Sequence, residues 1–348
     1  MEIPPLIDAQ RLGEIINTIA SLKFLPKVLK LLILTSVTSV FDAYNTLFFN
    51  REPFEQQAER YVQLELAKNR QEKRVAIITG ANTGIGYLTA KNLLKAGYRV
   101  IIGCRNPIKA ELAIQKLKAE SKEGVDIESI KLDLADFSSV RFFAEEFKKK
   151  NLPLHLLINN AGVMNLSSDE ITKDGHELHF QVNYLSHFLL VDLLLPYLTK
   201  DDPRIIFLGS LVHYGAIHLS LDDFKPKTSF DPSSGYLYSK LAVTIFAYAL
   251  SSKLKPKGIF VGVADPGTTG TELFRSVPLP SWILDLIMRP SEAGVLSTLR
   301  LSLGNRPDGD SSLYYMSETS IDPNSVALDT DYQEQLWEMS SRLTCSCT

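Results

Sequence analysis

The sequence predicts an α/β fold in which a doubly wound parallel sheet of about seven strands carries helices on both faces, after an N-terminal apolar helical extension. Three observations support this prediction. From Arg74 onward, short apolar runs alternate with helical patterns. A glycine-rich turn joins the first predicted strand to the first predicted helix of that region. The hydrophobic content, 45%, is sufficient for a sizeable buried core.

Changes in composition divide the 348 residues into four predicted parts. Residues 1–50 form an N-terminal membrane-associated helical segment, and residues 51–73 form a charged linker helix that rests on the domain. Residues 74–320 form the dinucleotide-binding α/β domain, and residues 321–348 form a C-terminal tail. Chemistry is expected in the third part.

The N-terminal segment contains an apolar stretch, Leu31–Phe41, without any charge. Its eleven residues fall short of the roughly 20 that a perpendicular span needs, and a longer stretch would include Asp42. Flanking cationic side chains suit a segment that lies in a membrane surface: Lys23, Lys27, Lys30 and Arg51. We therefore favour a membrane anchor or monotopic hairpin, with helices packed on the protein's own core or a cleaved signal peptide as alternatives.

Charge and cysteine content exclude several classes of function. The net charge of −3, without a basic stripe, argues against nucleic acid as a partner. The three cysteines match neither a disulfide framework nor a metal site, which indicates a reducing compartment and predicts no bound metal. The final "CSCT", with Cys345 four residues from the end, has the outline of a prenylation box without its aliphatic interior, so a disordered tail is preferred.

A strand followed by a glycine turn and a helix predicts a dinucleotide site. The run Val75–Thr79 reads as a buried strand and is followed at once by "TGANTGIG". Gly80 permits the tight turn, Gly84 lets the backbone approach a pyrophosphate, and Gly86 lets the helix pack on the strand. The phosphate would then meet free N–H groups at the positive end of the helix.

The end of the second strand predicts which nucleotide binds. Sites selective for NAD use an acidic side chain here to hold the ribose 2′-hydroxyl, but this chain has Gly103, Cys104 and Arg105. Without a carboxylate to repel a 2′-phosphate, and with a guanidinium to bind it, the sequence favours NADP(H) and leaves NAD(H) open.

The sequence contains two candidates for a proton-transfer pair, each a tyrosine followed four residues later by a lysine. This spacing puts both side chains on one face of a helix. Tyr87 and Lys91 lie in the helix whose first turn is committed to the pyrophosphate, and we interpret them as ordinary helix residues. Tyr236 and Lys240 follow a predicted strand that ends at Ser210. A lysine cation lowers the pKa of a phenol, which makes it a better proton-transfer group near neutral pH.

These motifs, in this order and with three residues between the first two glycines, resemble the short-chain dehydrogenase/reductase family over about residues 74–337. "TGANTGIG", "INNAGVM", "SKLA" and the insertion between Ser210 and Tyr236 resemble its retinol dehydrogenase-like branch. The resemblance implies a Rossmann-type fold and a catalytic tetrad. In that tetrad Ser210 holds the substrate oxygen, Tyr236 transfers the proton, Lys240 tunes Tyr236 and binds ribose, and Asn183 positions a water. Two residues depart from the family pattern: Ser186 stands for a glycine and Gly209 for a serine.

The resemblance also implies the rest of the cofactor site. Asp133 and Leu134 would lie against the adenine, and the small residues after the fourth strand would pass close to the cofactor. The carboxamide would be held in "PGTTGT". The cofactor-binding residues expected on this basis are Gly80, Asn82, Thr83, Gly84, Ile85, Gly86, Arg105, Asp133, Leu134, Asn160, Ala161, Gly162, Tyr236, Lys240, Pro266, Gly267, Thr268 and Thr271.

For the substrate, the branch implies long isoprenoid alcohols and aldehydes of the polyprenol-to-dolichol route, with retinol or steroid dehydrogenation as alternatives. The apolar, proline-broken "FRSVPLPSWILDLIMRP" fits a lid over a lipophilic substrate, with a surface-packed helix or interface as the alternative. Its candidate lining residues are Trp282, Ile283, Leu286 and Ile287. We expect membrane association at the endoplasmic reticulum or lipid droplets with the catalytic domain in the cytosol, and leave a homo-oligomer open. A membrane-tethered, non-catalytic nucleotide-binding scaffold is the competing hypothesis.

Overall fold

The computed structural model describes residues 52–121, 124–164, 170–199, 201–216, 232–267, 269–270, 288–307 and 313–345. The N-terminal extension, most of the insertion between Ser210 and Tyr236, the four candidate lining residues of the predicted lid and the last three residues lie outside these ranges. Within them, no helix is both long enough and apolar enough to cross a bilayer.

One sheet organises the molecule, with strands in the order β3-β2-β1-β4-β5-β6-β7-β8. The first seven pair in parallel and β8 pairs antiparallel to β7. The predicted doubly wound parallel sheet is therefore confirmed. One short extra strand, β8, runs antiparallel because a tight turn at Ser317 (φ 54°) reverses the chain direction after β7. The strands are β1 Val75–Thr79, β2 Arg99–Cys104, β3 Ile127–Lys131, β4 Leu156–Asn159, β5 Arg204–Leu208, β6 Phe260–Asp265, β7 Tyr314–Met316 and β8 Thr319–Ser320.

Helices cover both faces of the sheet, as predicted. Along β1, Ile77 packs into one hydrophobic core and Ile78 into the other, because successive strand residues point to opposite faces. A π-helix, Phe180–Leu185, leads directly into α5. The α-helices are α1 Phe54–Leu66, α2 Gly84–Lys95, α3 Pro107–Glu120, α4 Phe137–Lys149, α5 Ser186–Leu194, α6 Pro232–Leu254, α7 Ser291–Leu303 and α8 Thr330–Cys345.

The strand order reverses between β1 and β4, where the chain crosses from one half of the sheet to the other. In open parallel sheets, ligands bind outside the carboxyl ends of the strands at this point. Gly80 follows β1 and Asn160 follows β4, so the two predicted cofactor turns lie side by side. The topology places the candidate site at this edge.

Helix α1, in the part of the chain predicted to be a charged linker, packs against the rest of the described domain. Its buried stripe includes Ala58, Tyr61 and Val62, and the buried Glu65 carboxylate pairs with Lys68 at 2.6 Å and Arg70 at 3.1 Å. The Tyr61 hydroxyl donates a hydrogen bond to Glu318, just after β7. These contacts join α1 to the far edge of the sheet.

The C-terminal helix α8 packs on α5 and α6. The Trp337 ring contacts Phe188 at 5.3 Å and Phe246 at 5.6 Å between ring centroids, and Lys253 lies over its face. The buried Ser340 hydroxyl hydrogen-bonds with Tyr184. The predicted boundary at residue 320 stays a prediction, but the described residues of the tail include this packed helix.

Candidate active site

The turn after β1 has glycines at positions where a side chain would be strained or would clash. Gly80 and Gly84 have φ values of 69° and 58°, which favour glycine. A Cβ on Gly86 would lie 2.5 Å from Asn160 Nδ2 and 2.7 Å from the Gly80 carbonyl oxygen. Helix α2 therefore packs directly on the turn, as the spacing predicts.

The N-terminus of α2 fits a pyrophosphate. Thr83 precedes the helix and its side chain forms no capping hydrogen bond, and the first described bond back into the turn is from Tyr87 N to the Thr83 carbonyl. The backbone N–H groups of the first turn, including those of Gly84 and Ile85, are in the position where helix ends bind anions. The Asn82 and Ala81 backbones hydrogen-bond with the buried Cys104 thiol, which fixes the turn against β2.

The residues predicted to hold the adenosine lie at the ends of β2 and β3. Arg105 is exposed just after β2, and no acidic side chain of the described residues pairs with it. The Asp133 carboxylate accepts a hydrogen bond from Ala135 N. Leu134 is buried, and its carbonyl accepts a 2.5 Å hydrogen bond from Ser186 Oγ. Ser186, which stands where the family pattern has glycine, thus donates a hydrogen bond from α5 to the turn after β3.

A buried polar network that sequence reasoning missed joins β1 to the turn after β4. Thr79 Oγ1 accepts hydrogen bonds from Asn160 N at 3.0 Å and Ala161 N at 2.9 Å. The Asn160 side chain donates to the Thr79 carbonyl at 2.7 Å. The Thr79 hydroxyl meets His187 Nε2 at 3.0 Å. Thr79, a polar residue at the end of an apolar strand, was the only signal in the sequence.

The network continues to Asn183. His187 Nδ1 lies 3.0 Å from the Asn183 carbonyl, so this nitrogen carries the proton and Nε2 accepts from Thr79. Asn183 Oδ1 accepts from Val163 N at 2.7 Å, and its Nδ2 donates to Ser239 Oγ at 2.9 Å. The Asn183 side chain is thereby committed to the backbone after Gly162, and its water-positioning role stays a prediction.

Two buried histidines make stability sensitive to acid: His187 of this network, and His213, which hydrogen-bonds with the Ser210 carbonyl. Burial lowers the pKa of His187 and of His213 from 6.5 to about 4. Between pH 6.5 and pH 4 these histidines are protonated in the unfolded chain but neutral in the folded chain. The free energy of unfolding therefore decreases as the pH drops from 6.5 to 4. We expect each histidine to remove about 2–3 kcal/mol from the free energy of unfolding over this range. Urea unfolding at pH 7 and pH 4.5 measures it.

His187→Gln is the matched control for that prediction, because an amide can donate to Asn183 and accept from Thr79 without titrating in this range. The variant should lose less free energy of unfolding on acidification than the parent chain. Equal losses would contradict the assignment to His187.

The predicted proton-transfer pair lies beside this network. Tyr236 and Lys240 are buried on α6, and Ser210 follows β5. The Tyr236 hydroxyl hydrogen-bonds with Ser210, and Lys240 Nζ lies 5.9 Å from the centre of the Tyr236 ring. Lys240 Nζ donates to the Leu208 carbonyl at 2.9 Å. A Cβ on Gly162 would lie 3.3 Å from Asn183 Oδ1 and 3.8 Å from Lys240 Nζ. The four tetrad residues are thus close together.

Burial dominates the electrostatics of the pair. It raises the pKa of Tyr236 well above 10, and the Ser210 hydrogen bond opposes it. Burial lowers the pKa of Lys240 to about 8, and the nearby Asp265 carboxylate opposes that shift. The pKa of Tyr236 is therefore raised by burial in this structure, and not lowered as the tyrosine-lysine spacing led us to expect. Tyr236 is protonated at neutral pH, which is the form that donates a proton.

The second tyrosine-lysine pair lies on the outer side of α2. Lys91 forms an ion pair with Glu120 of α3 at 2.7 Å, and Lys116 lies 5.0 Å from the centre of the Tyr87 ring. Tyr87 and Lys91 thus contact α3. This placement is consistent with the interpretation of both as ordinary helix residues.

The structure explains why glycine precedes Ser210. A Cβ on Gly209 would lie 2.6 Å from Val263 Cγ1 and 3.0 Å from the Tyr314 hydroxyl. A serine would collide with the neighbouring strand and with the Tyr314 ring. The departure at this position is therefore imposed by the packing of β6 and β7.

The turn after β6 is described only in part. Pro266 accepts a hydrogen bond from Thr269 Oγ1 at 2.8 Å, and Gly267 has a φ of 67° and donates its N–H to Asp265 Oδ1 at 2.8 Å. Thr268 and Thr271 lie outside the described residues. The carboxamide contacts predicted for this turn stay predictions.

A dinucleotide-type turn beside a buried tyrosine-lysine pair at one edge of the sheet is the arrangement expected of an NAD(P)-dependent oxidoreductase. Residues 74–221 match the sequence model of the short chain dehydrogenase family. Polyprenol dehydrogenase of Homo sapiens is 36% identical over 78% of this chain and 85% of its own length. The chain therefore belongs to the short-chain dehydrogenase family, as its motifs predicted, and is an NAD(P)-dependent oxidoreductase.

Other similarities agree with this assignment. Retinol dehydrogenase 11 of Mus musculus is 42% identical over 61% of this chain and 67% of its own length. An uncharacterised protein from Mycobacterium paratuberculosis has a crystal structure with a TM-score of 0.63 at 30% identity, over 78% of this chain and 93% of that one. The Pseudomonas aeruginosa RhlG/NADP active-site complex has a TM-score of 0.53 at 25% identity, over 67% and 90%.

Proposed function

We propose that this chain interconverts a long-chain isoprenoid alcohol and its aldehyde with NADP(H), and that Tyr236 transfers the proton. The observation that carries the proposal is the buried Tyr236 hydroxyl bonded to Ser210, with Lys240 against the same ring. The 36% identity to human polyprenol dehydrogenase supports the substrate class. The 42% identity to a retinol dehydrogenase makes a retinoid the second candidate.

In this proposal each residue of the site has a distinct task. A bound nicotinamide supplies or accepts the hydride. Ser210 donates a hydrogen bond to the carbonyl oxygen, and Tyr236 gives its proton to the alkoxide that forms there. Lys240 supplies the positive charge that eases proton loss from Tyr236, and Asn183 holds the backbone after Gly162 in place. In the oxidation direction Tyr236 takes the proton back.

The cofactor would be held by the residues that the sequence predicted. Gly80, Gly84 and Gly86, with the N-terminus of α2, would bind the pyrophosphate. Arg105 would bind the 2′-phosphate, and Asp133 and Leu134 would lie beside the adenine. The turns after β4 and β6 would contact the nicotinamide end: Asn160, Ala161, Gly162, Pro266, Gly267, Thr268 and Thr271.

Arg105 provides a test of nucleotide preference. Arg105→Ala is expected to raise the KM for NADPH about tenfold or more, because a charge-assisted hydrogen bond to phosphate contributes about 1.5–3 kcal/mol. The KM for NADH should hardly change. Lys118→Ala, which removes an exposed cation from the far end of α3, is the matched control. Equal effects of Arg105→Ala on both nucleotides would contradict the role.

The substrate assignment is tested with the full chain in detergent micelles. A polyprenal, retinal and a ketosteroid are offered with NADPH and NADH, and nucleotide oxidation is followed by absorbance. The proposal expects the highest kcat/KM for the polyprenal with NADPH. A higher value for retinal would favour the second candidate. Nucleotide binding without turnover of any substrate would favour the non-catalytic scaffold.

We also propose that residues 1–50 hold the enzyme at a membrane surface, with the catalytic domain in the cytosol. The apolar stretch between Lys30 and Asp42 supports this, as does a lipophilic substrate that would reach the site without crossing water. Flotation of the full chain with neutral and anionic liposomes tests it. Recovery of all the protein in the lipid-free fraction would contradict the proposal.

A further inference from the structure

A buried carboxylate lies behind the proposed proton-transfer pair. Asp265 is the last residue of β6 and only 1% exposed. Burying an ionised carboxylate is costly unless hydrogen bonds and opposite charges compensate for the lost water. None of the tasks assigned above to the site residues uses this side chain, so its contacts have to explain why it is there.

Two donors hold the Asp265 carboxylate. Its Oδ1 accepts the N–H of Gly267 at 2.8 Å, and its Oδ2 accepts the Tyr314 hydroxyl at 2.5 Å. Charge-assisted bonds of this length favour the ionised carboxylate. Tyr314 is itself fully buried, and its ring packs against His213 with 4.8 Å between ring centroids. The carboxylate is therefore fixed in both position and direction.

Cations compensate in part for the buried negative charge. Burial raises the pKa of Asp265 above its ordinary value, and the Tyr314 and Gly267 hydrogen bonds and the charges of Lys240 and Arg289 oppose that rise. The Lys240 ammonium is also buried, and it donates a hydrogen bond to a neutral acceptor, the Leu208 carbonyl. Leu208 pairs with Ala264, the residue before Asp265, so the lysine's acceptor and the carboxylate lie on adjacent strands. Asp265 is the group that opposes deprotonation of Lys240 by burial.

We propose that Asp265, oriented by Tyr314, is a positioning residue whose buried carboxylate keeps Lys240 an ammonium beside Tyr236. The inference rests on the proposed function, because it serves the role assigned there to Lys240. Among the described residues, the titratable and charged groups that face Asp265 come from four elements. They are Tyr236 and Lys240 of α6, Arg289 before α7, Tyr214 of the 3₁₀-helix Leu211–Gly215, and Tyr314 of β7.

The glycine before Ser210 belongs to the same arrangement. A side chain at Gly209 would enter the space of the Tyr314 hydroxyl, at 3.0 Å from its Cβ. The absence of a side chain at Gly209 leaves the space through which the Tyr314 hydroxyl reaches Asp265. One departure from the family pattern and one buried carboxylate thus have a common structural cause, which supports a built arrangement rather than an incidental one.

The first test needs neither substrate nor cofactor. The melting temperature of the full chain is measured for Asp265→Asn, Lys240→Met and the double variant, at pH 7 and pH 9.5. Asparagine keeps an acceptor for Gly267 N and removes the charge, while its NH2 group replaces the oxygen that accepts from the Tyr314 hydroxyl, which would then act as the acceptor. At pH 7 we expect Asp265→Asn to lower Tm in the parent chain and to lower it less, or raise it, when Lys240 is methionine.

The pH dependence of that coupling has a defined sign. The attraction requires a charged Lys240, whose pKa is about 8 in the folded chain, so it is present below pH 8 and lost above it. The difference between the two backgrounds should therefore shrink at pH 9.5. Equal Tm changes in both backgrounds at pH 7 would overturn the proposal, whether or not the enzyme turns over any alcohol.

The second test is the pH profile of turnover with the best substrate. In Asp265→Asn the alkaline limit of kcat should move to lower pH by about one unit or more, since loss of a nearby opposite charge lowers the pKa of a lysine. Tyr314→Phe, which keeps the ring and removes the hydroxyl donor, should move it less in the same direction. An unchanged alkaline limit in both folded variants would overturn the role. Absence of turnover in the parent chain would contradict the proposed function and leave the first test decisive.

Discussion

Tyr236→Phe is expected to reduce kcat by about 1,000-fold, because a positioned acid or base contributes roughly 10² to 10⁴ in rate and phenylalanine has no proton to transfer. The ring is buried, and phenylalanine preserves its packing against His179. Affinity for NADPH, measured by its fluorescence on binding, should stay within about threefold. Single-turnover kinetics with a polyprenal measures the loss in the chemical step.

Tyr238→Phe is the matched control for this variant. Tyr238 lies two residues along α6, is partly buried, and packs against the hydrophobic core. The same hydroxyl deletion there should leave kcat close to that of the parent chain. If Tyr236→Phe turned over at a comparable rate, the assignment of the proton to Tyr236 would be wrong.

Gly86→Ala is expected to lower both stability and nucleotide affinity. The added methyl would lie 2.7 Å from the Gly80 carbonyl oxygen and 2.9 Å from Ala81 Cα, and neither backbone atom can move without moving the turn. Overpacking of this kind costs about 1–3 kcal/mol. Because the first turn of α2 would tilt away from the pyrophosphate, we also expect NADPH to bind at least about tenfold more weakly. Urea unfolding and NADPH titration measure the two effects.

Lys91→Ala on the same helix is the control for Gly86→Ala. Its ion pair with Glu120 is partly exposed, and such pairs contribute about 0–1 kcal/mol. Nucleotide binding and turnover should be unchanged. A large loss of turnover in Lys91→Ala would mean that the second tyrosine-lysine pair acts in the reaction, against both its sequence context and its position on the outer face of α2.

Local sequence was enough to predict the strand, glycine turn and helix of the nucleotide end, while the binding roles of its residues stay predictions. The strand Val75–Thr79, the three glycines and the following helix are contiguous, so propensity and spacing determine them together. The choice of Tyr236 over Tyr87 needed only the order of the neighbouring strands along the chain. The described residues form eight strands rather than about seven because β8 has two residues, which carry no periodic pattern.

Long-range contacts could not be predicted in the same way. The collision that requires glycine at position 209 involves Tyr314, 105 residues further along the chain. The link from Thr79 through His187 to Asn183 depends on which side chains the topology brings into contact. The raised pKa of Tyr236 depends on its depth of burial, which spacing does not define. Each of these was hidden because it arises from packing between distant segments.

The position of Trp337 has a practical consequence for spectroscopy. The chain contains two tryptophans, and Trp337 packs between Phe188, Phe246 and Lys253 on the helical layer formed by α5, α6 and α8. Trp337→Phe should preserve that aromatic cluster while removing its emission. The remaining tryptophan, Trp282, belongs to the apolar segment that the sequence predicts to be a lid over the substrate. In a single-tryptophan enzyme, binding of a lipid is therefore expected to shift the emission maximum of Trp282 to shorter wavelength. Energy transfer from Trp282 to bound NADPH would report nucleotide binding in the same sample.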